Sequence, residues 1–143
     1  MGRLALFLVA LALAAMVVVA PAHAAFPGAN GKIAFEAIAP DRVQTEIFTI
    51  NPDGSGRTQL TADAAHSYDP AWSPDGARIV FASQRDGDVN GDIYSMNADG
   101  TGVVRLTSEL GADTDPNWSP DGTKIVWSAV RWVRQGPIEF ELI

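Results

Sequence analysis

Cysteine is absent from all 143 residues. That excludes disulfide staples, a thiol nucleophile and a lipid-modified N-terminal cysteine, so stability has to come from packing. Histidine is almost as scarce. There are two, His23 and His66, and one histidine without a second ligand or a nucleophile beside it builds no metal or triad site. His66 therefore reads as an exposed loop residue. No Gly-x-Ser-x-Gly elbow and no phosphate-cradling Gly-Lys-Ser/Thr loop occurs, which removes the usual serine-hydrolase and nucleotide-enzyme motifs. Positive charge is short as well. Ten Lys and Arg stand against seventeen Asp and Glu, a net charge of −7, which argues against nucleic acid or an anionic membrane as partner. Helical periodicity is missing everywhere except in residues 4–20.

Those residues form an unbroken apolar run after Arg3, followed by Ala22-His23-Ala24. A basic start, an apolar centre and a small-x-small ending describe an export signal over 1–24, cleaved before Ala25. An uncleaved anchor is the competing reading, because the run approaches spanning length. Removing 1–24 takes away one arginine and no acid, so the mature chain is more acidic still. Residues 25–143 suffice for a modest core.

What the sequence has in abundance is repetition. Asp69-Pro70-Ala71-Trp72-Ser73-Pro74-Asp75-Gly76 returns 46 residues later as Asp115-Pro116-Asn117-Trp118-Ser119-Pro120-Asp121-Gly122. Over 69–81 against 115–127, 9 of 13 residues are identical, which makes this an internal repeat. Over 46–61 against 92–107, 7 of 16 match, so the period reaches back toward the start of the mature chain. Each full unit reads as four short strands. Strand a spans 68–73, b 77–83, c 91–97 and d 103–107, each bounded by Gly, Pro, Asn or Asp. Residues 32–36 repeat strand b, but no Asp-Pro-x-Trp block precedes them. The turn residues Asp53, Asp75, Asp99 and Asp121 fit side-chain-to-backbone turn formation. Strand b is apolar almost continuously, as in Ile79-Val80-Phe81-Ala82, the pattern of a sheet covered on both faces.

A four-stranded antiparallel unit recurring in this way is a β-propeller blade. The expected fold is all-β, a partial propeller behind a helical signal peptide. Trp72 and Trp118 are expected as wedges between neighbouring blades. The first blade is placed at 31–61 with strands b, c and d. A complete blade follows at 69–107, and a partial one at 115–143, in which residues 137–143 form a degenerate strand c. Closed propellers have typically 4–8 blades. Three readings follow: a piece of a longer reading frame, a chain that closes by self-association through its open blade faces, or a decayed product.

The blocks Asp-Pro-Ala-Trp-Ser-Pro-Asp-Gly-Ala-Arg-Ile-Val-Phe and Asp-Ile-Tyr-Ser-Met-Asn-Ala-Asp-Gly-Thr-Gly resemble the WD-repeat-like units of TolB-like propellers over residues 31–129. The resemblance implies an exported protein, periplasmic or extracellular, that meets a protein or an envelope polymer. The same repeat also occurs in the propeller caps of prolyl-oligopeptidase-type enzymes. No room exists between Ala25 and Asn30 for TolB's additional N-terminal domain.

One stretch looks metal-like. Asp86, Asp88, Asn90 and Asp92 alternate oxygen ligands with Gly91 at the sharp turn, as a calcium loop does. Position twelve, however, is Asn97 rather than a bidentate Glu, and the matching residues 40–46 lack the pattern. These four are the calcium candidates against an expectation of no metal, no cofactor and no catalytic residue. The leading reading is an exported, non-catalytic propeller module with a protein or envelope partner. The alternatives are the propeller start of a longer peptidase and a structural, self-associating repeat. Loops 38–45, 62–68, 84–91 and 108–114 are those expected to face a partner.

Overall fold

A computed structural model describes residues 31–39, 43–87, 90–131 and, for the backbone alone, 140–142. The leader, Asp88 and most of the C-terminal segment lie outside the described residues. Ten strands form three antiparallel sheets. The first holds β1 (Ile33–Ile38), β2 (Thr45–Ile50) and β3 (Thr58–Gln59). The second holds β4 (Ser67–Trp72), β5 (Arg78–Ser83), β6 (Asp92–Asn97) and β7 (Val104–Arg105), hydrogen-bonded in chain order. The third holds β8 (Gly111–Trp118), β9 (Ile125–Arg131) and β10 (Phe140–Leu142). The described residues contain strands and turns and no helix, as a partial propeller requires.

The central sheet is buried from both sides. Strand geometry sends alternate side chains to opposite faces. Ile79 and Phe81 of β5 join Tyr94 and Met96 of β6 against Ile47 of the first sheet, with Trp72 packed at the edge. Val80 and Ala82 point the other way and join Ile93 against Trp118, Ile125 and Trp127 of the third sheet. All four β5 residues from Ile79 to Ala82 are fully inaccessible. The two tryptophans thus sit between adjacent sheets. Their indole N–H groups, however, are buried without a protein acceptor.

Two boundaries differ from the sequence reading. Strand β8 starts at Gly111, so 111–114 are sheet rather than loop, and β4 starts one residue before the expected strand a, at Ser67. His66 is half-buried rather than exposed, and its Nδ1 lies 3.2 Å from the Thr45 backbone N–H, which donates to it. The tether joins the first sheet to the approach of β4.

Gly111 shows why β8 starts where it does. Its φ is +146°, and a Cβ there would lie 1.8 Å from the Val130 carbonyl oxygen across the ladder. Gly54 has φ +84° with open space around it. Gly111→Ala should therefore cost about 2–5 kcal/mol, combining backbone strain with a collision against backbone. Gly54→Ala should cost only the strain, about 1–2 kcal/mol. Urea denaturation of both variants measures the difference, and equal losses would contradict the placement of Gly111.

Candidate functional site

Among the described residues, the repeated Asp-Pro dipeptide holds the non-glycine positions with positive φ. Asp69 and Asp115 are left-handed, with φ of 53° and 52°. Both fall where the strand register slips, between Tyr68 and Ala71 in β4 and between Thr114 and Asn117 in β8. Each slip inserts one extra residue, a β-bulge. Aspartate is among the few non-glycine residues that visit this region, and the following proline has no N–H to lose from the ladder. The freed aspartate N–H turns toward the preceding sheet. Asp69 donates to Glu36 Oε2 at 2.8 Å, and Asp115 donates to Asp69 Oδ2 at 3.2 Å, 46 residues away. Glu36, Asp69 and Asp115 therefore run as one carboxylate row across the three sheets. Burial pushes the Asp69 carboxyl above its usual value. The Asp115 N–H pulls it down, and the charges of Asp115 and Glu36 add to the rise.

The turns after β4 and β8 carry the second feature. Asp75 Oδ1 accepts the Ser73 hydroxyl at 2.6 Å and the Ala77 N–H at 3.0 Å. Asp121 Oδ1 accepts the Ser119 hydroxyl and, at 3.0 Å, the Thr123 N–H. Asp53 and Asp99 close the other two turns in the same way, through the N–H groups of Ser55 and Thr101. Hydrogen bonds to the ionised form depress a carboxyl pKa. All four are lowered, with the hydroxyl bond as the largest cause, and Asp121 is held at about 2. Between the Ser73-to-Gly76 and Ser119-to-Gly122 turns lies a cleft of about 410 Å³, into which Arg78, Trp118 and both carboxylates face. The Arg78 guanidinium donates to Ser95 Oγ at 2.7 Å, while its Nε and the Trp118 indole N–H have no protein acceptor. The cleft is thus lined by an indole, a guanidinium and two charged carboxylates, side chains suited to holding a polar ligand.

The described residues around the loop between β5 and β6 are engaged with one another. Asp86 Oδ2 accepts the Tyr94 hydroxyl at 2.7 Å and lies 3.1 Å from the Arg105 guanidinium. Asp92, almost fully buried, pairs with the other Arg105 nitrogen at 2.5 Å. The Asn90 backbone carbonyl lies 3.5 Å from the Tyr68 hydroxyl. Asp88 lies outside the described residues. Arg105 thus pairs with both Asp86 and Asp92. Burial, then the bond to Asp86, raises the Tyr94 hydroxyl pKa. Among the described residues, no three acidic or histidine side chains converge as a metal-ligand set.

Sequence reasoning missed Arg105, Glu36 and the Asp113–Arg131 pair, in which the guanidinium meets a nearly inaccessible carboxylate at 2.5 Å. Aligning the units would have pointed to Arg105, Asp113 and Glu36 alike. Arg105 takes the place of Gln59, and Asp113 the place of Ser67, in otherwise similar strands. Glu36 is marked in the same way, standing where the other units have Ala82 and Ser128, although its partner is the backbone of a residue 33 positions on.

The fold and the sequence both find counterparts in known proteins. The TolB beta propeller domain model matches residues 10–135, and the chain belongs to that family. The structure resembles that of an Agrobacterium tumefaciens protein assigned as TolB. The TM-score is 0.65 and the identity 27%, over 78% of this chain and 41% of that one. TolB of Acinetobacter baumannii gives a TM-score of 0.59 and 25% identity, over 76% of this chain and 26% of that one. In sequence, 55 residues are 42% identical to dipeptidyl-peptidase 5 of Porphyromonas gingivalis, covering 38% of this chain and 8% of that enzyme. The chain thus spans less than a tenth of that curated relative and under half of these solved structures.

The Asp121 turn makes a pH prediction. Its carboxyl moves from an ordinary 3.8 to about 2 on folding, so the turn's contribution is complete above about pH 4 and is lost as pH falls toward 2. In Ser119→Ala the folded value rises toward the ordinary one and that loss shrinks. Carboxyl NMR titration of both proteins measures it. An unchanged Asp121 titration in the variant would show that the Ser119 hydroxyl does not hold the charge.

Proposed function

We propose that the chain is an exported, non-catalytic propeller module that binds a protein or an envelope polymer. The observation that carries this reading is the cleft between the two Ser-Pro-Asp-Gly turns. It combines an indole, a guanidinium and two carboxylates held ionised, and it is built by the repeat itself on the turns that follow β4 and β8. Family membership and the likeness to TolB structures agree with a surface made for docking. The leader of the sequence directs such a module to the periplasm or beyond. No cofactor enters this reading. For calcium, with Asp86, Asp88, Asn90 and Asp92 as the ligands, the proposal is that Arg105 fills the role of the cation.

A second reading rests on the likeness to dipeptidyl-peptidase 5: the chain as the propeller portion of a longer exopeptidase. The two readings separate by experiment. Cosedimentation with purified cell-wall sacculi and cross-linking in envelope extracts should retain the chain, and Arg78→Gln with Asp75→Asn should lower retention several-fold while the melting curve stays cooperative. Retention equal to that of an unrelated acidic propeller would overturn the binding reading. Turnover of chromogenic dipeptide substrates by the chain would overturn the non-catalytic one. Calorimetry with calcium should show no heat, and a melting shift with calcium would instead assign the Asp86–Asp92 loop as a site.

A further inference from the structure

The cleft between the two Ser-Pro-Asp-Gly turns is made by two copies of one short sequence, brought side by side by the stacking of the second and third sheets. The turns nearly touch. A Cβ on Gly122 would lie 3.6 Å from Pro74 Cδ of the other turn. The second sheet contributes Asp75 and Arg78 to the lining, and the third contributes Trp118 and Asp121. At about 410 Å³ the space between them has room for a side chain and the backbone that carries it.

Each aspartate holds its turn with one oxygen. The hydroxyl and backbone N–H bonds of the Asp75 turn both fall on Oδ1, and so do those of the Asp121 turn. Oδ2 of either residue takes no hydrogen bond among the described residues, and both side chains are exposed. Arg78 is the basic residue of the lining, and its guanidinium already donates to Ser95 Oγ at 2.7 Å. Two carboxylates against one guanidinium leave the lining with an excess of negative charge beside an indole. The whole chain is biased the same way, with a net charge of −7.

We infer that the cleft takes a basic side chain, Lys or Arg, from a protein partner, with the cation held by Asp75 and Asp121 and the aliphatic stem laid along Trp118. The inference rests on the binding role proposed for the cleft and names the partner as a polypeptide with a positively charged segment. Lys and Arg are the side chains that answer both parts of the lining. Their stems cover apolar surface while their heads stay charged, and a cation is also drawn to an aromatic ring. A neutral glycan would use the acceptors without answering their charge. The turn hydrogen bonds hold both carboxyls below their ordinary values, so the charge is present throughout the neutral range. The acidic body adds long-range attraction for a basic segment, which speeds encounter.

NMR titration of the full chain with the capped tripeptide acetyl-Ala-Lys-Ala-amide tests this, read at the Trp118 indole N–H. A saturating shift is expected, and none with acetyl-Ala-Glu-Ala-amide. Asp75→Asn and Asp121→Asn should each weaken the lysine peptide about two- to fivefold, the range of one exposed ion pair. Asparagine keeps an Oδ1 acceptor for the turn, so only the charge is lost. Asp99→Asn removes the same charge from an equivalent turn outside the lining and should weaken binding least. Thermal melts keep folding separate, and if one cleft variant misfolds the other decides. An unmoved Trp118 resonance, an equal response to the glutamate peptide, or equal weakening by Asp99→Asn overturns the inference. Retention by sacculi without peptide binding also overturns it but leaves the cleft's binding role standing, with a polymer as occupant. Loss of both retention and peptide binding sinks that role as well.

Discussion

Everything in this structure depends on burying one sheet from two directions at once. A single propeller sheet is too thin to hold a core within itself, so each of its faces needs a neighbour. In the second sheet the requirement is met in full. Ile79 and Phe81 pack on one side and Val80 and Ala82 on the other, all without solvent access. At about 25 cal/mol per Å² of apolar area removed from water, such double burial is the dominant favourable term available to a chain that lacks disulfides. The two-residue strands β3 and β7, both exposed, add little to it and leave only short edges for unwanted pairing.

Polar chemistry does the positioning that apolar burial cannot. Sheets stacked by hydrophobic contact alone can slide, because the attraction has no direction. The Asp-Pro bulges set the offset. Each turns one backbone donor out of its own ladder and aims it at a carboxylate on the previous sheet. The buried ends of the sheets are held in a comparable way. Thr61 receives the Ile47 N–H and donates to Glu46, and Thr107 receives the Ile93 N–H beside Asp92. The features proposed for binding lie on the framework thus fixed, on turns whose carboxylates are already committed to holding their own backbone.

Much of the fold was legible because its determinants are local or periodic. The alternation in 78–83, the turn chemistry of Asp53, Asp75, Asp99 and Asp121, and the spacing of Trp72 and Trp118 all act within a few residues or at one fixed period. The site was less legible, because its decisive contacts cross between strands. Asp86 and Asp92 look like cation ligands along the chain, and only the fold brings Arg105 of β7 between them. His66 looks like a free loop residue until β2 lies beside it. The left-handed aspartates were the nearest miss. Asp precedes Pro at both 69 and 115, but a positive φ at a non-glycine residue becomes apparent only when the register on both sides is known.

The donor in each Asp-Pro latch is a backbone amide, and the acceptor of the Asp115 latch is the same residue type one unit earlier. A unit that carries the dipeptide therefore reaches back with its amide and offers its carboxylate to the unit that follows, whereas the Asp69 latch depends on Glu36, where the later units carry Ala82 and Ser128. Recognition between the first two sheets thus rests on a side chain that the repeat does not copy, while the next seam is written by the repeat itself.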